Sequence, residues 1–269
     1  GRLASASMSD KAVLVDVTDG VATVTLNRPE RRNALSDEVS NGIISAIDEL
    51  EGRDDVRCLV LTGAEGTFCA GGDVSSMAAS DDDQQLHDLV RHIQDETSRV
   101  IRRVYEFRKP TVAKLDGVAF GAGANLAIAC DCVVASERAR ISFGFKQVGL
   151  AVDTGTSYLL PRIVGENVAK ELVFTGELVD AERASDLGLF NHVYESFEEQ
   201  ASEFIQTIAE GPTVALETSK QSIVQGFSLD LKAAQDNEAT NQAAVFETHD
   251  HAEGATAFME SREPEFEGR

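Results

Sequence analysis

The sequence predicts an α/β fold that ends in a helical tail. Strand-like apolar runs alternate with helix-like segments from residue 12 to residue 193, a pattern of parallel βα units. Two of those runs, Cys58-Leu59-Val60-Leu61-Thr62 and Thr111-Val112-Ala113-Lys114-Leu115, lead into stretches of small residues. Each such stretch is expected to turn and open a helix. From Thr156 onward the chain reads helical, apart from a short strand-like Asn191-His192-Val193. The pattern alone fits both a doubly wound sheet and a spiral of stacked turns.

In chain order, residues 12–17 and 21–26 are apolar or alternating, with Asp19-Gly20 between them, which predicts a hairpin. Asn27-Arg28-Pro29-Glu30 ends the second strand, because Pro29 cannot extend a ladder. Ser36 is placed to cap a helix reaching about residue 51, with Val39, Ile43, Ile47 and Leu50 on one face. The strand at 58–62 follows, then Gly-Thr-Phe-Cys-Ala-Gly-Gly-Asp at 66–73. Asp81-Asp82-Asp83 suits a helix start. One long helix is predicted from there to about residue 107, with Leu86, Leu89, Ile93, Val100, Ile101 and Val104 at helical period. Lys109-Pro110 stops it. After the strand at 111–115, residues 122–129 are apolar on nearly every side, which predicts a buried helix. Residues 132–135 read as a strand. Ser196 with Glu199 forms a capping box, Pro212 suits a helix start, and helices are predicted over 228–248 and 252–261.

With 269 residues and 42% hydrophobic content, the chain can bury a large core. No apolar run is long enough to span a bilayer, and no signal-peptide pattern is seen. Residues 1–7, ahead of Met8, are expected to be an artificial extension. A net charge of −22 argues against nucleic acid and anionic membranes as partners. Arg outnumbers Lys and Asp is abundant, as expected of a halophilic source. Cys58, Cys69, Cys130 and Cys132 lie in apolar surroundings without zinc spacing. They read as reduced, buried thiols of a cytoplasmic protein. His249 and His251 sit in an acidic stretch, so no metal site is expected.

The stretches at 66–73 and 116–131 carry the chemistry. A turn that opens a helix exposes N–H groups that no helix carbonyl can satisfy, and the helix dipole adds partial positive charge there. Two such ends facing each other would hold an oxygen that gains negative charge. Gly71, Gly72, Gly121 and Gly123 remove side-chain bulk, so a carbonyl could approach the main chain. The plainer alternative is a pair of ordinary Gly-rich βα turns.

These stretches, with Leu26-Asn27-Arg28-Pro29 and Asn33-Ala34-Leu35, resemble the crotonase superfamily, the enoyl-CoA hydratase/isomerase family. The resemblance runs from about residue 13 to the C-terminus. It implies a crotonase-like spiral of ββα units over residues 8–200 and an α-helical C-terminal lobe over 201–269, which packs on neighbouring subunits in a homotrimer or dimer of trimers. It implies an acyl-CoA thioester as substrate and no separate cofactor, coenzyme A being part of that substrate. Carried onto this chain, the main-chain N–H groups of Gly72 and Ala122 hold the thioester oxygen. Ala70, Gly71, Asp73 and Gly121 would build the surrounding substrate-binding turns, with Ala70 near the adenine. Arg31 and Arg32 are candidates for the coenzyme A phosphates.

The hydratase branch of the family uses two glutamates to split water. The matching positions here are Asn125 and Phe145, counted as substrate-binding, and neither side chain can exchange protons with water. Val148-Gly149-Leu150-Ala151-Val152-Asp153-Thr154-Gly155, with Leu159-Leu160-Pro161-Arg162, resembles the branch of epoxyphenylacetyl-CoA isomerase and related enoyl-CoA isomerases. There one aspartate, here Asp153, acts as acid and base. Asp153 is equally placed to be an N-cap before Thr156. The expected activity is a double-bond shift or rearrangement of an unsaturated acyl-CoA through an enolate. The alternatives are hydration, hydrolysis or dehalogenation on the same fold, and non-catalytic acyl-CoA binding.

Overall fold

The computed structural model describes residues 11–73 and 86–269. The hairpin forms as β1 (Val13–Thr18) and β2 (Val21–Leu26), antiparallel, with Asp19 and Gly20 both at positive φ (50° and 80°). Positive φ at both positions matches the twist of the flanking strands. Ser36 caps α1 (Asp37–Glu51) through a bond from the Val39 N–H to its hydroxyl. The expected face of Val39, Ile43, Ile47 and Leu50 is buried.

Parallel strands then accumulate: β3 (Cys58–Gly63), β4 (Thr111–Leu115), β6 (Cys132–Ser136) and β9 (His192–Tyr194) complete a six-stranded sheet in the order β1-β2-β3-β4-β6-β9. A second sheet orders β5 (Val118–Phe120), β7 (Arg140–Ser142) and β8 (Val179–Asp180). β4 passes almost directly into β5, and β6 into β7, so each turn of chain gives one strand to each sheet. Isolated bridges continue the small ladder upstream, Cys69 beside Ala119 and Leu35 beside Gly72. The chain thus winds as a spiral in which each turn stacks on the one before, as the resemblance implies.

The apolar run of β3 is continuous because both faces of the large sheet are covered. Leu59 and Leu61 enter the main core. Cys58 and Val60 pack with Val112 and Val134 against Ala201, Ile205 and Ala209 of α8 (Phe197–Ala209). The domain boundary expected at residue 200 therefore falls within α8, a helix that the sheet's outer face recruits. Ser196 makes no side-chain cap. Its N–H is taken by the Gln200 side chain at 2.9 Å, so Glu199 is not the capping partner.

The single helix predicted up to residue 107 is two, α2 (Leu86–Asp95) and α3 (Thr97–Tyr105), broken at Glu96 (φ −100°, ψ −86°). Val100, Ile101 and Val104 are buried, while Leu86, Leu89 and Ile93 are exposed. The Asp81-Asp82-Asp83 helix start and most of the helix expected after Asp73 lie outside the described residues. α4 (Ala122–Ile128) is buried at every position. α5 (Thr156–Val164), α6 (Glu166–Thr175) and α7 (Ala181–Asp186) lead to β9, and α9 (Thr213–Gly226), α10 (Leu231–Val245) and α11 (His249–Glu260) end the chain. Cys58, Cys69 and Cys130 are buried free thiols; burial pushes the first two up to about 12. No helix among the described residues is long and apolar enough to cross a membrane.

Candidate active site

The two Gly-rich stretches meet through the short ladder. The Phe120 N–H donates to the Cys69 carbonyl at 2.9 Å, and the Leu35 N–H to the Gly71 carbonyl at 2.8 Å. Gly71 sits at φ +98°, where a Cβ would lie 2.7 Å from the Phe120 carbonyl oxygen and 3.8 Å from the Ala122 nitrogen. Residue 71 is thus pressed against the start of α4, and only glycine fits both the torsion and the gap. Gly121 (φ 56°) precedes α4 and gives its N–H to the Ser142 carbonyl at 2.8 Å. Among the described residues, the N–H groups of Gly72 and Ala122 donate to no carbonyl or side chain. For Ala122, the first residue of α4, this is the ordinary state of an α-helix's first N–H groups.

Asn33 holds the first stretch in place and was not among the predicted site residues. It is fully buried at φ 54°. Its amide nitrogen donates to the carbonyls of Ala64 (3.0 Å) and Thr67 (2.7 Å), and its side-chain oxygen accepts from the Arg28 N–H (2.8 Å). An Asn in a Pro-containing turn was the available signal, since Asn tolerates left-handed backbone and bonds to nearby main chain. Ala70 donates its N–H to the Arg32 carbonyl at 3.0 Å. Arg31 and Arg32 are exposed, and Arg31 reaches the Asp73 carboxylate at 3.4 Å.

The segment carrying Asp153 is anchored to the first turn of α4 at two points. Phe145 is buried, and its ring edge lies 3.9 Å from where a Gly121 Cβ would stand. Asn125 has no exposed surface. Its amide nitrogen lies 3.1 Å from the Asp153 carbonyl, 2.7 Å from the Thr154 hydroxyl and 2.8 Å from the Thr156 hydroxyl. Its oxygen accepts from the Thr156 hydroxyl at 3.1 Å. The amide predicted to meet substrate is therefore committed to the protein itself. Thr154 takes φ 49°, a left-handed torsion that β-branched residues avoid. Such a residue stores on the order of 1–3 kcal/mol and persists only when its surroundings over-determine it.

Asp153 does not cap α5. The residue at that position is Gly155 (φ 98°), and Asp153 contributes only its main-chain carbonyl, to the Thr156 N–H at 3.0 Å. Its Oδ1 is buried without a hydrogen-bond partner among the described residues. Burial holds its carboxyl above the usual carboxylate range, and a hydrogen bond from Thr154 opposes that shift. A half-buried acid with a free oxygen can take up and release a proton at a nearby carbon.

A spiral of ββα turns in which two small-residue bends meet through a short ladder defines an α/β protein of the crotonase class. Residues 16–269 match the family described as Enoyl-CoA hydratase/isomerase. The chain is 34% identical over 259 residues to the 1,2-epoxyphenylacetyl-CoA isomerase of Escherichia coli (strain K12), covering 96% of this chain and 98% of that protein. It is also 34% identical over 259 residues to the short-chain-enoyl-CoA hydratase of Clostridium acetobutylicum, covering 94% and 96%. The crystal structure of enoyl-CoA hydratase from Bacillus anthracis aligns with a TM-score of 0.89 at 30% identity, covering 96% of this chain and all of that one. The chain belongs to the enoyl-CoA hydratase/isomerase family and is an acyl-CoA enzyme of the crotonase superfamily.

Proposed function

We propose that this enzyme shifts a double bond, or rearranges an unsaturated acyl-CoA, through a thioester enolate. The N–H groups of Gly72 and Ala122 bind the thioester oxygen as it gains charge. Asp153 takes a proton from one carbon of the acyl chain and returns it to another. The observation that carries this reading is the buried Oδ1 of Asp153, which has no hydrogen-bond partner among the described residues. A single carboxylate is enough for a proton relay, since the same group is base in the first half and acid in the second. The likeness to an isomerase over nearly the whole chain supports it.

Hydration is the second reading, supported by the likeness to a short-chain hydratase. It requires groups that hold a water and exchange protons with it. Asn125 is buried and engaged with the chain, and Phe145 offers a phenyl ring. Exposed Ile223, Phe227, Leu231, Phe258 and Met259 on the last helices support assembly of this chain into a homotrimer or dimer of trimers. Arg31 and Arg32 are our candidates for the coenzyme A phosphates, with Ala70 beside the adenine.

The test is an assay of 3-enoyl-CoA and 2-enoyl-CoA substrates of several chain lengths, with the wild type and Asp153→Asn. Interconversion by the wild type, lost in the variant, is the expected result. Robust water addition by the wild type overturns the isomerase reading. Unchanged interconversion in Asp153→Asn overturns the role of the aspartate.

A further inference from the structure

We propose that Asn125 is a positioning residue whose buried amide clamps the turn at residues 153–156, fixing where the Asp153 carboxyl stands relative to the Ala122 N–H. This rests on the reading of Asp153 as the proton carrier. Asn125 is one helical turn after Ala122, so both project from the same side of α4. A rigid helix thereby connects the oxyanion donor to the turn that carries the base. Three acceptors of that turn crowd around one amide nitrogen, at 2.7 to 3.1 Å. An amide nitrogen has only two hydrogens, so at least one contact is shared.

Two further observations require a clamp here. Thr154 adopts φ 49°, which it would leave if its hydroxyl were released. The Asp153 Oδ1 makes no hydrogen bond among the described residues, so the carboxyl is not held in place by partners there. Its orientation is imposed through the backbone instead. No charged neighbour among the described residues contributes to its proton affinity, and desolvation dominates it. Loosening the turn would therefore change both the placement of the carboxyl and its access to water.

The experiment compares Asn125→Ala, Thr154→Gly and Asp153→Asn with the wild type on 3-hexenoyl-CoA. It measures kcat, KM and the pH dependence of kcat. Thr154→Gly keeps the assay decisive, because glycine takes a left-handed torsion without strain and the variant retains the fold. In both positioning variants kcat is expected to fall about 10- to 100-fold. KM should stay within about twofold. The acidic limb of the kcat profile should move to lower pH in Asn125→Ala as water reaches the carboxyl; in Thr154→Gly, loss of the hydroxyl's hydrogen bond to the carboxyl offsets that movement. A purely structural role would lower melting temperature without moving that limb. An inactive Asp153→Asn with a wild-type kcat in Thr154→Gly overturns the positioning role alone. A fully active Asp153→Asn overturns the underlying reading of the base.

Discussion

Gly71, Asn33 and Asp153 act at the scale of single residues, each through one torsion or one hydrogen-bonding group. Gly71→Ala would force a Cβ to 2.7 Å from the Phe120 carbonyl at φ +98°. The shift would displace the neighbouring Gly72 N–H, proposed above as an oxyanion donor, and loss of one such donor lowers kcat by about 100-fold or more. Steady-state turnover of enoyl-CoA checks this. Asn33→Ala would strip the Ala64 and Thr67 carbonyls of their buried donor and leave alanine at φ 54°. A loss of about 2 kcal/mol or more is expected in urea unfolding. For Asp153 the sign follows from its raised native pKa. Its charged form is less favourable folded than unfolded, so it withdraws stability as pH rises from the ordinary carboxylate range through the native value. Asp153→Asn should therefore melt above the wild type at neutral pH. The gap should close below the ordinary carboxylate pKa. Thermal melts at both pH values decide it.

At the scale of elements, α4 is the piece on which the site depends. Its apolar sequence announced a buried helix, and it is buried at every position. Its seating depends on Gly123, where a Cβ would meet the Cys69 carbonyl oxygen at 2.3 Å and the Cys69 Sγ at 2.8 Å. Gly123→Ala should destabilise the protein by about 1–3 kcal/mol. Adding Cys69→Ala should restore only part of the loss, because the nearer clash is with backbone. Denaturant midpoints of the single and double variants test this. α8 teaches a different lesson. Its start near Ser196 was legible, but the surface it covers was not, since β2 to β9 are distant in sequence. The break at Glu96 was equally hidden. Apolar period runs straight through it, and only Val100, Ile101 and Val104 found a core.

At the scale of the whole molecule, a charge of −22 on 269 residues makes self-repulsion a general burden on the folded state. Raising salt from about 0.1 M to about 1 M shortens the screening length from about 10 Å to about 3 Å. Melting temperature should rise steeply over that range, and a flat response in thermal melts would remove the halophile expectation. The same acidity gives exposed cations at a binding site weight. Arg31 and Arg32 flank the turn that leads to Ala70, and phosphate binding there would run against the protein's mean field.

The sequence by itself determined the strands of the large sheet, the hairpin at Asp19-Gly20, the cap at Ser36, the buried α4 and the two small-residue bends, but not the short strands β5, β7 and β8 of the second sheet. These are local matters, written in torsional preference and apolar period. It also carried, through the motifs it shares with a family, the expectation of a spiral. Only the tertiary structure decided which bends touch, that Asn33 fastens one of them, and that Asp153 leaves the capping of α5 to Gly155. It also decided that the Asn125 amide bonds to the turn at 153–156. Those outcomes depend on contacts between residues tens of positions apart, such as Asn33 with Thr67 and Asn125 with Thr154. No local rule fixes them, because a buried polar group takes its partner from whatever the packed spiral brings within reach.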